Sequence, residues 1–448
     1  MHAAVPWIVD LRTRPSDQLA ARGRHGIHCI RGAVWAALGR KKMQTTGSGR
    51  VPAIVMGRGP TALGILRSLA QADIPAYVAC PDDDLVTRSR WYRPVPGLPW
   101  DGRPGDQAMQ ALRTSPLERA VIVAGADDAA LWLADLPASD LGQRFPVSTS
   151  SRATQELLQD KSAFARYVAA TGIPHPRTFP LASLADVEAV PIDQLDRVFV
   201  KPVNSQKFSD VVGAKGVWID SAAALADAWA RFHAQGFAVM AQEYVPGGAR
   251  EHFFVEGFRD ARGGYPGLFA RRRMRMSPPD FGNSSCSTSI PLADVAGAVS
   301  HLRRLLDGLH YRGIFSAEFK RDSRDGQFRI LEVNTRAWTY VEFAARQGIN
   351  VCDMAWRDAL GAYIPHATET YPTGRLCIDL HHDLACVRRG RDDRSESMMA
   401  IVSQWMHADL HVFRADDPAP ALHGLGALFR KRLALLPRLN AMKRRARV

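Results

Sequence analysis

Residues 313–336 read GIFSAEFKRDSRDGQFRILEVNTR, and within them Glu318, Glu332 and Asn334 have side chains and a spacing that could hold a hard cation. Asp325-Gly326 separates two apolar stretches, a strong hairpin signal, so residues 314–321 and 327–334 are expected to pair antiparallel. The loop then decides which face each carboxylate takes, because side chains alternate along a strand. A two-residue loop sets Glu318 opposite Val333 and separates the glutamates. A three-residue loop, with Arg324 and Asp325 in a type I turn and Gly326 at positive φ, pairs Ser323 with Gln327 and sets Glu318 opposite Glu332. Asn334 and Lys320 share that face. Opposed carboxylates destabilise a hairpin unless something positive lies between them. Both are ionised at neutral pH, since an unperturbed glutamate titrates at about 4.3. Two carboxylates and an amide oxygen suit Mg2+ (or Mn2+) held jointly with substrate phosphates. The plainer alternative is a solvated hairpin face with two unrelated glutamates. It ranks second because Ile314, Phe319, Ile330, Leu331 and Val333 mark the strands as buried on at least one side.

A metal held this way calls for a polyphosphate partner, and the preceding 170 residues hold parts that fit one. Lys161 opens an amphipathic helix, where alone it reads as a surface lysine. Lys201 lies in the apolar strand VFVKPV, where an ammonium needs an anion or water. One unit-charge pair near 4 Å is worth about 4 kcal/mol at an effective dielectric of roughly 20, so two lysines and divalent ions could neutralise a nucleotide's phosphates. The loop 204–216, with Ser205, Gly213 and Gly216, has a composition suited to offering backbone N–H groups to phosphates. In MAQEYVPGG a strand ends in a turn at Glu243, Tyr244 and Val245, where backbone groups could read an adenine edge, with Glu251 in reach of ribose hydroxyls.

The elements that must position these residues divide the chain. Residues 1–48 show no periodic pattern and read as a disordered or artefactual extension, with Met43 a natural start. Residues 49–150 open with strand, glycine turn, helix and strand, a βαβ unit. Gly57, Gly59 and Gly64 depart from the G-x-G-x-x-G spacing of a dinucleotide fingerprint, so this unit reads as a Rossmann-like scaffold. A new unit begins near 151 with a helix closed by Gly172, Pro174 and Pro176. Its lobes are expected at about 151–240 and 241–365. Residues 366–448 read as helix-rich with a basic tail.

Composition excludes more than it selects. The formal charge is +13, yet residues 1–50 carry nine Lys/Arg against two Asp, and residues 421–448 carry eight Lys/Arg and no acid. The body between them is therefore close to neutral, which argues against a nucleic-acid stripe. Six scattered cysteines without C-x-x-C indicate neither a zinc site nor a disulfide framework. No apolar run reaches the ~18–20 residues of a membrane span, and no secretory layout opens the chain, so a cytoplasmic protein is expected.

Helix lysine, strand lysine, Ser/Gly loop, strand with QEYVPG, and then E…E-x-N occur in the order that resembles the ATP-grasp superfamily, over roughly 155–362. RRRMRMSPPDFGNSS followed by GIFSAEFKRDSRDGQFRILEVNTRAW is similar to the uncharacterised ATP-grasp carboxylate-amine ligases. The resemblance implies an α/β and α+β architecture, a Rossmann-like pre-ATP-grasp domain followed by a two-lobed ATP-grasp fold. It implies an enzyme that uses ATP and Mg2+ to activate a carboxylate as an acylphosphate and couple it to an amine, and a homodimer would be usual. In these terms Lys161 and Lys201 hold the α and β phosphates and the loop 204–216 closes over the β and γ groups. Glu243, Tyr244 and Val245 read adenine, with Glu251 on ribose. Glu318, Glu332 and Asn334 bind magnesium. Arg336 meets the carboxylate or acylphosphate, with Arg273 and Arg275, on one strand face, as further candidates. Surface ion pairs are the competing account of each arginine. His381-His382 is expected to be structural, since phosphoryl transfer here needs positioning and charge neutralisation rather than a histidine base. Two other function classes stay open: an NAD(P)-dependent reductase using the first βαβ unit, and a non-catalytic nucleotide-binding module. A biotin-dependent carboxylase fits less well, as no biotinyl-type lysine segment is found.

Overall fold

AIVM, AYVA and VIVA are unbroken apolar runs, the pattern of strands covered on both faces. In the computed structural model, which describes residues 49–203, 216–278, 282–367, 370–389 and 396–424, they form β1 (Ala53–Met56), β2 (Ala76–Ala79) and β3 (Val121–Ala124). The three are parallel, in the order β2-β1-β3. Helix Gly59–Gln71 links β1 to β2. Pro60 suits its first turn, and Ala62, Leu63, Leu66 and Leu69 recur at helical spacing on its buried side. The three spaced glycines serve turn and packing. Gly59 has φ +62. A Cβ on Gly57 would stand 3.2 Å from Cα of Gly125, and one on Gly64 would stand 3.1 Å from Cγ1 of Val341.

Residues 178–243 build a four-stranded antiparallel sheet from β4 (Thr178–Leu181), β5 (Val198–Pro202), β6 (Val217–Ile219) and β7 (Val239–Glu243), in the order β4-β7-β5-β6. Helix Ala222–Ala234 buries Leu225, Ala228 and Phe232 in the core of this layer. The Ser221 side chain caps the helix by accepting the Ala224 N–H.

The seven-stranded sheet comprises β8 (His252–Arg259), β9 (Gly267–Ser277), β10 (Asn283–Ile290), β11 (Gly313–Arg321), β12 (Phe328–Asn334), β13 (Leu376–Ile378) and β14 (Asp409–Leu410). Its order is β12-β11-β8-β9-β10-β13-β14, antiparallel except for the β13–β14 pair. One face is apolar, where Phe253, Val255, Phe315 and Phe319 share a core with Leu302, Leu305 and Leu306 of helix Ala296–Gly308. The alternate positions carry polar groups: Glu318 and Lys320 on β11, His252 and Glu256 on β8, and Arg271 and Arg273 on β9. Among the described residues after 366, Leu380–Arg389 and Met398–His407 are helical, and β13 and β14 join the large sheet.

The first unit meets the large sheet just past β12. The Ala337 N–H donates to the Ala124 carbonyl at 3.3 Å, and Thr61 Oγ1 lies 3.4 Å from Thr339 Oγ1. The carboxyl ends of parallel strands, where α/β folds commonly place ligands, thus adjoin Asn334 and Arg336. Among the described residues no helix is long and apolar enough to cross a membrane.

Candidate active site

The hairpin sets Glu318 opposite Glu332 and Ser316 opposite Asn334. It reaches this register by a route the sequence reading did not foresee. The Asp322 N–H donates to the Gln327 carbonyl at 2.9 Å and the Gly326 N–H to the Asp322 carbonyl at 2.8 Å, so residues 323–326 form a four-residue loop in place of the expected three. Gly326 takes the positive φ, +73. The Asp322 carboxylate stabilises this longer loop by accepting from the Arg324 backbone and from the Arg324 and Arg329 guanidinium groups. Carried along a regular ladder, that loop would set Leu331 opposite Glu318 and turn Glu332 to the far face. A β-bulge leaves Leu331 without a partner between Ile330 and Glu332 and restores the face-to-face pair.

Glu318 is held by two donors on one oxygen. Its Oε1 accepts from Nδ1 of His252 at 2.8 Å and from Arg273 at 3.0 Å. Burial alone would raise its pKa, but the Arg273 charge and the His252 hydrogen bond outweigh burial and hold the carboxylate well below its usual range. His252 was not among the residues singled out from the sequence. Burial and the Arg273 charge push its pKa down to about 4, so it is a neutral donor at pH 7. Arg273 is buried, also donates to Ser284 Oγ at 2.9 Å, and touches the glutamate pair at Glu318.

Arg275 requires a correction. It does not join Arg273 at Glu318. Its guanidinium is fully buried, bonded to both carboxylate oxygens of Asp383 at 2.9 and 2.8 Å, and paired with Glu396 at 2.9 Å. The register between β9 and β10 shifts beside Arg275, and the side chain turns to the C-terminal helices. It is an ion pair, as the competing account of this arginine had it, but a buried one and not a surface one.

The four-stranded sheet supplies the cations. Lys201 on β5 donates from Nζ to Gln242 Oε1 at 2.8 Å. Burial, then the positive charge of Lys161, push its pKa down to about 7, while Glu332 and Glu318 oppose the shift. Two lysines and two glutamates, from two sheets and a helix start, therefore share one electrostatic neighbourhood. Lys161 is the first residue of helix Lys161–Ala170, behind Asp160, whose side chain accepts the Ala163 N–H.

At the strand end near this neighbourhood, the Glu243 N–H donates to the Arg177 carbonyl at 2.9 Å, and its side chain is paired with Arg177 and Arg324. Burial favours the neutral acid, and the two arginines more than offset it, lowering the Glu243 pKa. The Tyr244 ring lies edge-on to Trp218, with the Lys320 ammonium 3.9 Å from its centre. Val245 is buried. Glu251, expected at a ribose, makes a two-point pair with Arg321 at 2.8 and 3.3 Å. Gly216 packs closely, since a Cβ there would stand 3.1 Å from the Val200 carbonyl. Ser205 and Gly213 lie outside the described residues.

Arg336 lies beyond the hairpin. It pairs with Asp127 from the start of helix Asp127–Leu133, its Nε 2.8 Å from Oδ1, and reaches Asn334 Oδ1 at 3.4 Å. The Asn334 amide nitrogen faces Glu332 at 3.5 Å, so a cation would recruit the amide oxygen only after the amide turned over. A cavity of about 680 Å3 between helix Gly59–Gln71 and the C-terminal segment is lined by Trp91, Trp405 and Phe413 and by none of the residues above.

No family model and no curated protein matches the chain. Solved structures do. The dimeric biotin carboxylase domain of Hydrogenobacter thermophilus 2-oxoglutarate carboxylase, solved with MgADP, ADP and bicarbonate, is 14% identical over 72% of this chain and 73% of that one, with a TM-score of 0.55. The N5-carboxyaminoimidazole ribonucleotide synthetase of Thermus thermophilus is 15% identical over 72% and 81%, at 0.54. The L-amino acid ligase of Bacillus licheniformis is 16% identical over 73% and 78%, at 0.51. At such identities the likeness is one of fold.

Proposed function

The chain has the ATP-grasp fold behind a parallel three-stranded unit, and from that premise we propose that it is an ATP-dependent ligase that activates a carboxylate as an acylphosphate and couples it to an amine. The observation that carries this reading is the convergence of Lys161 and Lys201 with Glu318 and Glu332. Half-buried lysines beside paired carboxylates carry a desolvation cost in an empty protein. They become complementary around a phosphate chain bearing a divalent ion.

The donor set fits magnesium: two carboxylates and an amide oxygen, all hard oxygen ligands, with room for substrate oxygens among the rest. When bound, the ion neutralises charge on the phosphate oxygens during transfer. The chain's own residues do the remainder. Lys161 and Lys201 fix the α and β phosphates. Gly216 lies at the end of the loop 204–216 assigned to the β and γ groups, in which Ser205 and Gly213 enter through family resemblance. The backbone at Glu243 and Val245 and the Tyr244 side chain border adenine. Glu251, already oriented by Arg321, is the ribose candidate. Arg336 receives the substrate carboxylate, a task for which a planar fork of donors is suited, in exchange for its present ion pair with Asp127. Arg273 acts through Glu318. The small-molecule carboxylate and amine would enter beside Arg336, where the first unit adjoins the hairpin.

The test is a pairwise panel of amino acids and small acids, assayed for phosphate release from ATP, with wild type beside Glu332→Gln. The variant should lose ADP formation while its denaturation midpoint stays within about 1 kcal/mol of wild type in stability. Undiminished turnover would remove Glu332 from the metal site. A wild-type protein inert to ATP across the panel would count against a ligase.

A further inference from the structure

We propose that His252 is a positioning residue that fixes which oxygen of Glu318 faces the metal, an inference that rests on the ligase reading above. His252 opens β8 directly after the short turn Ala249–Glu251 and stands opposite Lys320 on β11. Glu318 is two residues along β11, opposite Phe254. His252 and Glu318 are thus diagonal cross-strand neighbours on one face, a separation that long side chains can span.

The chemistry of the contact fixes its direction. An ionised carboxylate only accepts hydrogen bonds, so the 2.8 Å contact to Oε1 requires the proton on Nδ1. Nε2 is then the unprotonated nitrogen, and it is buried without a hydrogen-bond partner among the described residues. Arg273 donates to the same Oε1 from β9. Two donors on Oε1 leave Oε2 to turn toward Glu332 on the neighbouring strand, so that a shared cation meets one preset oxygen instead of a freely rotating carboxylate. The charged groups facing the imidazole are Arg273, Lys320 and Glu318. A hydrogen-bond partner of a metal-binding carboxylate is typically worth about 10- to 100-fold in metal affinity.

The experiment is Mn2+ binding to the full-length protein, read from the electron paramagnetic resonance signal of free Mn2+, without nucleotide and with ADP, so that no turnover is involved. His252→Leu should weaken Mn2+ binding by about 10- to 100-fold. His252→Asn, whose amide nitrogen sits near the place of Nδ1, should restore most of it. His252→Gln, whose amide reaches toward the place of Nε2, should not. If the leucine variant fails to fold, the asparagine and glutamine variants carry the comparison, because a packing role would not rank them in this order. Wild-type affinity in the leucine or glutamine variant overturns the assignment of His252 and leaves the ligase reading standing. A wild-type protein that takes up no Mn2+ with or without ADP overturns both.

Discussion

Lys201 shows what a single residue can reveal about a site. An ammonium in a strand of valines is destabilising unless an anion meets it, and here its pKa falls from 10.5 to about 7. The folded chain then binds fewer protons than the unfolded chain between those values, so this residue makes stability rise with pH across that window. The cost is fully present below pH 7 and vanishes as pH passes 10.5. Lys201→Met should therefore raise the thermal midpoint of the ligand-free protein at pH 6 and raise it less at pH 9. Phosphates beside the ammonium reverse the balance. Nucleotide binding near pH 8 should take up protons, measured by calorimetry in buffers of different ionisation enthalpy, and the lysine-to-methionine variant should abolish the uptake. Equal proton uptake in both proteins would separate Lys201 from the phosphates.

Among the elements, the β11–β12 hairpin decides the site. Its four-residue loop and the bulge at Leu331 are each out of register with the expected three-residue loop, and together they cancel. The two strands thereby keep their apolar residues on the core side and both glutamates on the other. Gly326 bears the backbone conformation of the turn, and the space around its missing Cβ is open. Gly326→Ala is therefore expected to cost about 1–2 kcal/mol through left-handed strain alone, seen as a lower urea midpoint, with ADP formation in any productive substrate pair unchanged. A loss of activity at full stability would mean that the turn itself touches ligand. The hairpin was legible because Asp-Gly and alternating hydrophobics are local signals. Its bulge was not, since a bulge answers to the Asp322 ion pairs and to the packing of β12 against helix Ala296–Gly308.

Over the whole molecule, the C-terminal segment clasps the first unit to the large sheet. Arg67, wholly buried on helix Gly59–Gln71, bonds Asp417 at 3.1 and 2.9 Å, the Val412 carbonyl at 3.0 Å and Glu342 at 3.3 Å. Asp417 also accepts from Ser89 Oγ and the Arg90 N–H. Removing Arg67 would leave the buried Asp417 without its counter-charge, while Glu342 keeps Arg346 and Arg414, so Arg67→Ala is expected to destabilise by about 3–5 kcal/mol in chemical denaturation. A loss below about 1 kcal/mol would show that water replaces the guanidinium there. Nothing in the text RSLAQ around Arg67 distinguishes it from a surface helix arginine, because its partners lie 275 and 350 residues away. The same distance hid His252 from Glu318, 66 residues apart, and Asp127 from Arg336, 209 apart. Apolar period, turn chemistry and the order of charged residues are written along the chain, and they determined the layered α/β plan, the hairpin and the lysine and glutamate set. Which oxygen of Glu318 is free, where Arg275 turns and what holds the first unit in place depend on strand order and burial. Those arise only when distant strands are brought side by side and water is excluded between them.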